Sequence, residues 1–417
     1  MNKITNLPII LFSLAPIAAQ GSDSATTVVK ATRIVIAPDT VLENGAFLIR
    51  DGKIALIGSE IPKGASRGAQ ILDFSGKTVV PGFVNPHSHL GLGLDLAESV
   101  TAVTPDLKAT DAFDPFDEIL LDNARGGVTT IGLAPLSMNA FAGIAGVIKT
   151  GEMGKVLAEH SYLKIALVQE SLNQNRYPTS HMGAMELIRT NFKDAKETIA
   201  APTPESRVLR DVLAGSLPVA IHAHTHAEIE QALELCQQIG AVPLLIDAAE
   251  AEHSIAQIAK LGGSVILAPL SPNDRTRTLE LPAKLEEAGI PFSFMSTVAA
   301  STKKPAAPSS RSRGRPPGGF SFFVPTPASS GKAPVDIPPD QLRLSVALAV
   351  RHGLSRQGGI AALTRIPAEQ CGVSAKCGSL RQGCDADFLV FSGEPTDLTS
   401  RLEAVYLAGR AIEEEEK

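Results

Sequence analysis

Residues 27–80 cluster β-branched residues in short runs, VVKATRIVIA, GAFLIRDGKIALIG and AQILDFSGKTVV, set between the turn pairs Asn44-Gly45, Asp51-Gly52 and Ser75-Gly76. The C-terminal GSLRQGCDADFLVFSG and LEAVYLAGRAI have the same character. Between these β-rich ends a different pattern repeats, a short apolar run followed by a longer segment of helical period. The runs lie at 82–89, 128–134, 145–149, 164–169, 218–224, 242–247, 264–269 and 291–296. One helical segment shows the period plainly: AEIEQALELCQQIG puts Ile229, Leu233 and Cys236 on one stripe and stops at Gly240. Strands alternating with helices predict parallel pairing through right-handed crossovers, and eight of them fit a closed barrel better than an open sheet. The predicted fold is α/β: a (β/α)8 TIM-like barrel over 81–376, with a small discontinuous β-sandwich domain formed by both termini, 27–80 plus 377–412.

Two segments stand outside this pattern. Residues 301–339 are rich in Pro, Ser, Gly and Arg, a composition that buries little apolar surface and predicts a disordered insert within the barrel. Residues 1–21 read as a signal peptide, with Lys3 before the apolar LPIILFSLAPIAA and small residues at Ala18-Ala19-Gln20-Gly21 for cleavage. The expected location is therefore outside the cytoplasm, in the periplasm. That apolar stretch is too short to span a bilayer, and no later run of 18 apolar residues predicts an integral membrane span. Hydrophobic content of 44%, charged content of 20% and a net charge of −6 describe an ordinary globular chain with no electrostatic case for nucleic acid. The cysteines, Cys236, Cys371, Cys377 and Cys384, form no C-x-x-C pair and read as small buried apolar residues.

The chemistry concentrates at Val79–Leu92, VVPGFVNPHSHLGL. On a strand His87 and His89 point the same way, so two imidazoles can face one point, the beginning of a transition-metal site. A barrel brings every strand's C-terminal end to one rim, and five histidines sit at two such ends: His87, His89, His222, His224 and His226. His222 and His224 share a face, while His226 begins the next helix. No G-x-S-x-G elbow, P-loop or G-x-G-x-x-G after a strand is present, which removes serine-hydrolase and nucleotide-cofactor classes.

Three motifs carry a resemblance. P-G-F-x-x-x-H-x-H (Pro81, Gly82, Phe83, His87, His89), T-x-x-P-A (Thr364, Pro367, Ala368) and G-S-L-x-x-G-x-D-A-D-F (Gly378, Ser379, Leu380, Gly383, Asp385, Ala386, Asp387) are similar to those of the amidohydrolase superfamily, in its imidazolonepropionase-like, exported branch. The resemblance implies a divalent metal, zinc first, as one ion or two, and a metal-activated water that attacks a C–N bond in a small amide, lactam or peptide-like substrate. It implies His87, His89 and His222 as metal ligands and His224 as a substrate contact. An acidic or carboxylated-lysine ligand is expected at the third or fourth strand, where Glu170 is the nearest carboxylate and Gln169 and Lys149 are further candidates. At the sixth strand, where the family often has a histidine, this chain has Asp247. Asp247 and Glu170 are thus the catalytic candidates. RYPTSHMGAMELIR resembles a stretch that leads into a long helix beside the pocket; Arg176 and His181 are its candidate substrate contacts, with Thr179 or Ser180 as helix cap.

The eighth strand departs from the family. PFSFMSTVAAS offers Ser296 and Thr297 but no carboxylate, and a hydroxyl cannot replace an aspartate as a general base near neutral pH. Two readings follow: a metal-dependent hydrolase with a substitute base, or an impaired amidohydrolase-fold protein, its site free of metal, that binds ligands or pairs with an active relative. A homo-oligomer is compatible with either.

Overall fold

The computed structural model describes residues 26–89, 96–98, 100–198, 201–296 and 340–412. The expected signal peptide, the 301–339 insert and Thr297 lie outside these residues.

Four strands open the described chain: β1 (Thr27–Ala37), β2 (Thr40–Arg50), β3 (Lys53–Gly58) and β4 (Gln70–Pro81). Eight follow: β5 (Phe83–Ser88), β6 (Val128–Leu133), β7 (Phe141–Lys149), β8 (Lys155–Ala166), β9 (Val219–His222), β10 (Pro243–Ile246), β11 (Ser264–Leu267) and β12 (Phe292–Phe294). They form one sheet in sequence order, β5 to β12, with helices between most of them. Asn85 on β5 donates to Ser296 Oγ just beyond β12 at 2.6 Å, so the two edge strands meet and the barrel closes. The last strands, β13 (Phe388–Phe391), β14 (Leu402–Leu407) and β15 (Arg410–Ala411), return to the first sheet, ordered β15-β14-β13-β4-β1-β2-β3. Both termini therefore build one β-rich unit, with Phe47, Phe388 and Val79 in its core.

The barrel's wall is not uniformly parallel. β7 runs antiparallel to both β6 and β8. Only residues 150–154 join β7 to β8, and a parallel connection needs a crossover of a dozen or more residues, so a hairpin is the geometry available. β8 also begins earlier than the apolar run at 164–169 suggests, at Lys155. Ala134, Ala145, Tyr162, Ala220, Leu244, Ile246 and Ile266 fill the barrel's interior, while a far larger apolar layer packs between strands and helices.

The sheet and the barrel are joined by a buried ion pair. Lys149, at the bottom end of β7, pairs with Asp387 and, at 3.2 Å, with Asp385. Burial alone would lower the Lys149 pKa, but the Asp387 carboxylate overrides it and holds the amine above its ordinary value. Lys149, a candidate ligand in the sequence, is instead an interdomain clamp at the end of the barrel away from the histidines.

Candidate active site

Period-two alternation along β8 places Tyr162, Lys164 and Ala166 on one face, toward the barrel axis. The same alternation along β5 and beyond points His87 and His89 together, with ring centroids 5.1 Å apart. His87 is 3% exposed and Lys164 fully buried. The Tyr162 hydroxyl donates to Pro86 O at 3.1 Å, so the His87 Nδ1 that lies 2.9 Å from that oxygen is the donor of its pair. His87 Nε2 then carries a lone pair, and Lys164 Nζ lies 3.2 Å from it. His89 Nδ1 is 2.8 Å from Ala134 O, a carbonyl that can only accept, so its Nε2 carries a lone pair as well.

His222 ends β9 at the same rim. Its Nε2 faces Asp247 Oδ2 at 3.4 Å, and its Nδ1 lies 2.7 Å from Ser137 Oγ. A carboxylate accepts, so Nε2 bears the proton and Nδ1 accepts from the serine. Asp247 Oδ2 also takes His224 Nδ1 at 3.1 Å. Asp247 holds φ at +58°, in the left-handed region that Asp and Asn tolerate better than most residues, directly after β10.

Electrostatics reinforce the tautomers. Burial, then the Lys164 charge, pushes His87 well below its usual pKa and His89 down to about 3. His222, at the end of β9, adds a smaller push on both. Burial lowers Lys164 from 10.5 to about 7, so its amine is substantially neutral near neutral pH.

These features test whether the residues suit a divalent metal. Metal-ligating histidines hold one ring N–H on a carbonyl or carboxylate and offer the other nitrogen. His89, on a carbonyl, and His222, on a carboxylate, have that form, and His87 differs only in resting on a tyrosine hydroxyl; Nε2 of His87, Nε2 of His89 and Nδ1 of His222 are the offered atoms. Lys164 Nζ caps the first and Ser137 Oγ the third. Among the described residues no three His, Cys, Asp or Glu side chains are already gathered as a metal-holding group. The set fits in donor chemistry, with Lys164 in the place where a carboxylate was sought.

Several candidates are not brought to this point. Glu170 and Gln169 are exposed in a 3₁₀ turn beyond β8. His181 begins the helix His181–Glu197, which Ser180 caps through Gly183 N. His226 opens the helix His226–Ile239, held by a Thr225–Glu228 capping box and ended by Gly240 at φ +71°. Arg176 lies on the loop after β8 and donates from Nη2 to Asn139 Oδ1 at 2.7 Å. At the eighth strand Asn85 Oδ1 takes N–H bonds from both His87 and Ser296, so a neutral amide–hydroxyl pair occupies the place where the family has its carboxylate. Sequence reasoning missed Lys164, whose signal was a lysine inside an apolar run, and Ser137, which carried none.

The Amidohydrolase family model matches residues 78–412. The imidazolonepropionase of Deinococcus deserti is 29% identical over 408 residues, covering 88% of this chain and 90% of the relative. The N-substituted formamide deformylase of Arthrobacter pascens is 43% identical over 68 residues, 16% of this chain and only 12% of that protein. A crystal structure of an amidohydrolase from Thermotoga maritima superposes with a TM-score of 0.73 at 25% identity, covering 92% of this chain and 99% of the other. The chain belongs to the amidohydrolase family, hydrolases of carbon–nitrogen bonds.

Proposed function

We propose that this chain is an exported, metal-dependent hydrolase that cleaves a C–N bond in a small cyclic amide, ureide or peptide-like substrate. The observation that carries it is the matched tautomer set: three histidines at one rim, each with one nitrogen pinned and the other offered. His87, His89 and His222 would hold a divalent ion, zinc first, with Lys164 beside them as an amine or, after reaction with carbon dioxide, a carbamate. When bound, the metal polarises the scissile carbonyl and acidifies water.

The chain's own groups supply the rest. Asp247 orients His222 and His224 through one oxygen and is the nearest carboxylate able to accept the proton that the eighth-strand aspartate takes in relatives. His224, exposed at the mouth, meets the substrate. The relatives named imidazolonepropionase and N-substituted formamide deformylase support a non-peptide C–N bond.

A second reading has its own observation. The Asn85–Ser296 pair closes the eighth-strand position with neutral groups, which favours an impaired site that binds a small molecule or steadies an active partner. One experiment separates the two: metal content and turnover of an amide, hydantoin and dipeptide panel, for the mature protein and the His87→Ala/His89→Ala double variant. Stoichiometric metal and turnover, both lost in the variant, support hydrolysis. Absence of metal after loading with zinc and manganese sinks it, and metal without turnover favours the second reading. Sequencing the mature N-terminus after expression in a Gram-negative host tests export.

A further inference from the structure

Arg176 is half-buried on the rim loop after β8, and its guanidinium is only partly satisfied. Nη2 donates to Asn139 Oδ1 at 2.7 Å and, at 3.4 Å, to Met138 O. Asn139 is itself fixed, because its Nδ2 donates to Glu98 O and Thr104 Oγ1, which leaves Oδ1 turned to the arginine. The other nitrogens, Nε and Nη1, are shielded from solvent and have no hydrogen-bond partner. Among the described residues no carboxylate lies within ion-pair reach of them. Glu98 is close enough for its charge to be felt, but its Oε1 accepts from Val100 N at 2.6 Å.

A half-buried guanidinium with two shielded, unmet donors and no carboxylate in ion-pair reach is costly. Water would meet the donors but not the charge. A carboxylate oxygen meets both, and arginine's planar fork suits it. The location joins this group to the site: Asn139 and Met138 sit on the same 134–140 loop as Ser137, whose hydroxyl lies 2.7 Å from His222 Nδ1. One loop therefore carries both the partner of His222 and the partners of the arginine.

We propose that Arg176 is a specificity-determining residue that binds a carboxylate group of the substrate, so that the preferred substrates are anionic amides. The proposal rests on the rim's being a substrate site, and its test reads binding as well as turnover. Binding of N-acetyl-L-leucine and of its uncharged counterpart N-acetyl-L-leucinamide is measured by calorimetry for the parent, Arg176→Gln and Arg176→Lys. The expected result is that the parent prefers the carboxylate by about 10- to 100-fold, that Arg176→Gln erases the preference, and that Arg176→Lys keeps part of it. A purely structural arginine would weaken both ligands equally, and that result overturns the proposal. So do equal affinities in the parent, a preference that survives Arg176→Gln, or binding of neither ligand. A carboxylate preference in a protein that hydrolyses nothing leaves this assignment standing while the hydrolase reading falls.

Discussion

Lys164 Nζ lies 3.2 Å from His87 Nε2 with both side chains buried, and the same amine donates to Pro135 O at 2.6 Å. Among the described residues no carboxylate pairs with this lysine, and burial lowers its pKa to about 7. It is held ready to change state, by losing a proton or gaining a carbamate, at the nitrogen a metal would take.

Lys164→Met removes a buried amine without leaving a cavity of consequence. Thermal stability is expected to be unchanged or raised, because folding no longer has to strip water and a proton from that amine. Metal content and kcat/KM are expected to fall together, the latter at least about 100-fold. Parallel melting curves and metal analysis check it.

Asp247→Asn keeps the side chain's shape and tolerates φ of +58°. It removes the proton acceptor and the charge that pins His222. The expected loss is in kcat, about 100- to 10,000-fold, with KM little altered and the fold intact by circular dichroism.

Ser137→Ala uncaps His222 Nδ1. One neutral hydrogen bond, about 1 kcal/mol, no longer competes with a metal at that nitrogen. The expected result is tighter zinc binding, by about 5-fold, in competition titration with a chelating dye.

Acid should weaken the metal-free protein through its histidines. Folded His89 titrates at about 3 against 6.5 in an open chain, and His87 is displaced in the same direction. The unfolded chain therefore takes up protons first, so the stabilisation is complete above about pH 6.5 and declines as pH falls toward 3. The slope contributed is on the order of 1.4 kcal/mol per pH unit per group. Urea titrations across this window should show a shallower decline for His89→Gln.

Lys149→Met leaves Asp387, only 6% exposed, buried without its cation. A loss of about 3–5 kcal/mol is expected. A Lys149→Met/Asp387→Leu double variant should recover much of it, with activity retained, since the clamp lies at the opposite end of the barrel.

The barrel and its β-rich companion were legible because apolar runs, turn pairs and H-x-H spacing are local signals. The direction of β7 was not, since reversal depends on the length of residues 150–154 rather than on the run itself. Lys164 was overlooked for a related reason. With the strand taken to start at 164, the lysine reads as an entry residue; starting at Lys155, it becomes an inward one, two positions beyond Tyr162. Ser137 and Asn139 sit in GLAPLSMNAFAG, where no spacing betrays that one meets His222 and the other Arg176. Such partnerships belong to the closed barrel and have no trace in either segment alone.

The reversed β7 divides the molecule's tolerance for change into two unequal ends. Residues 134–140 turn at the rim, where Ser137 and Asn139 each steady a different part of the pocket. Residues 150–154 turn at the far end, beside the Lys149 clamp. Lengthening the first turn would retune what the pocket accepts, while lengthening the second would strain only the seam with the β-rich unit. A lineage diversifying its substrates has one hairpin end to vary and the other to leave alone.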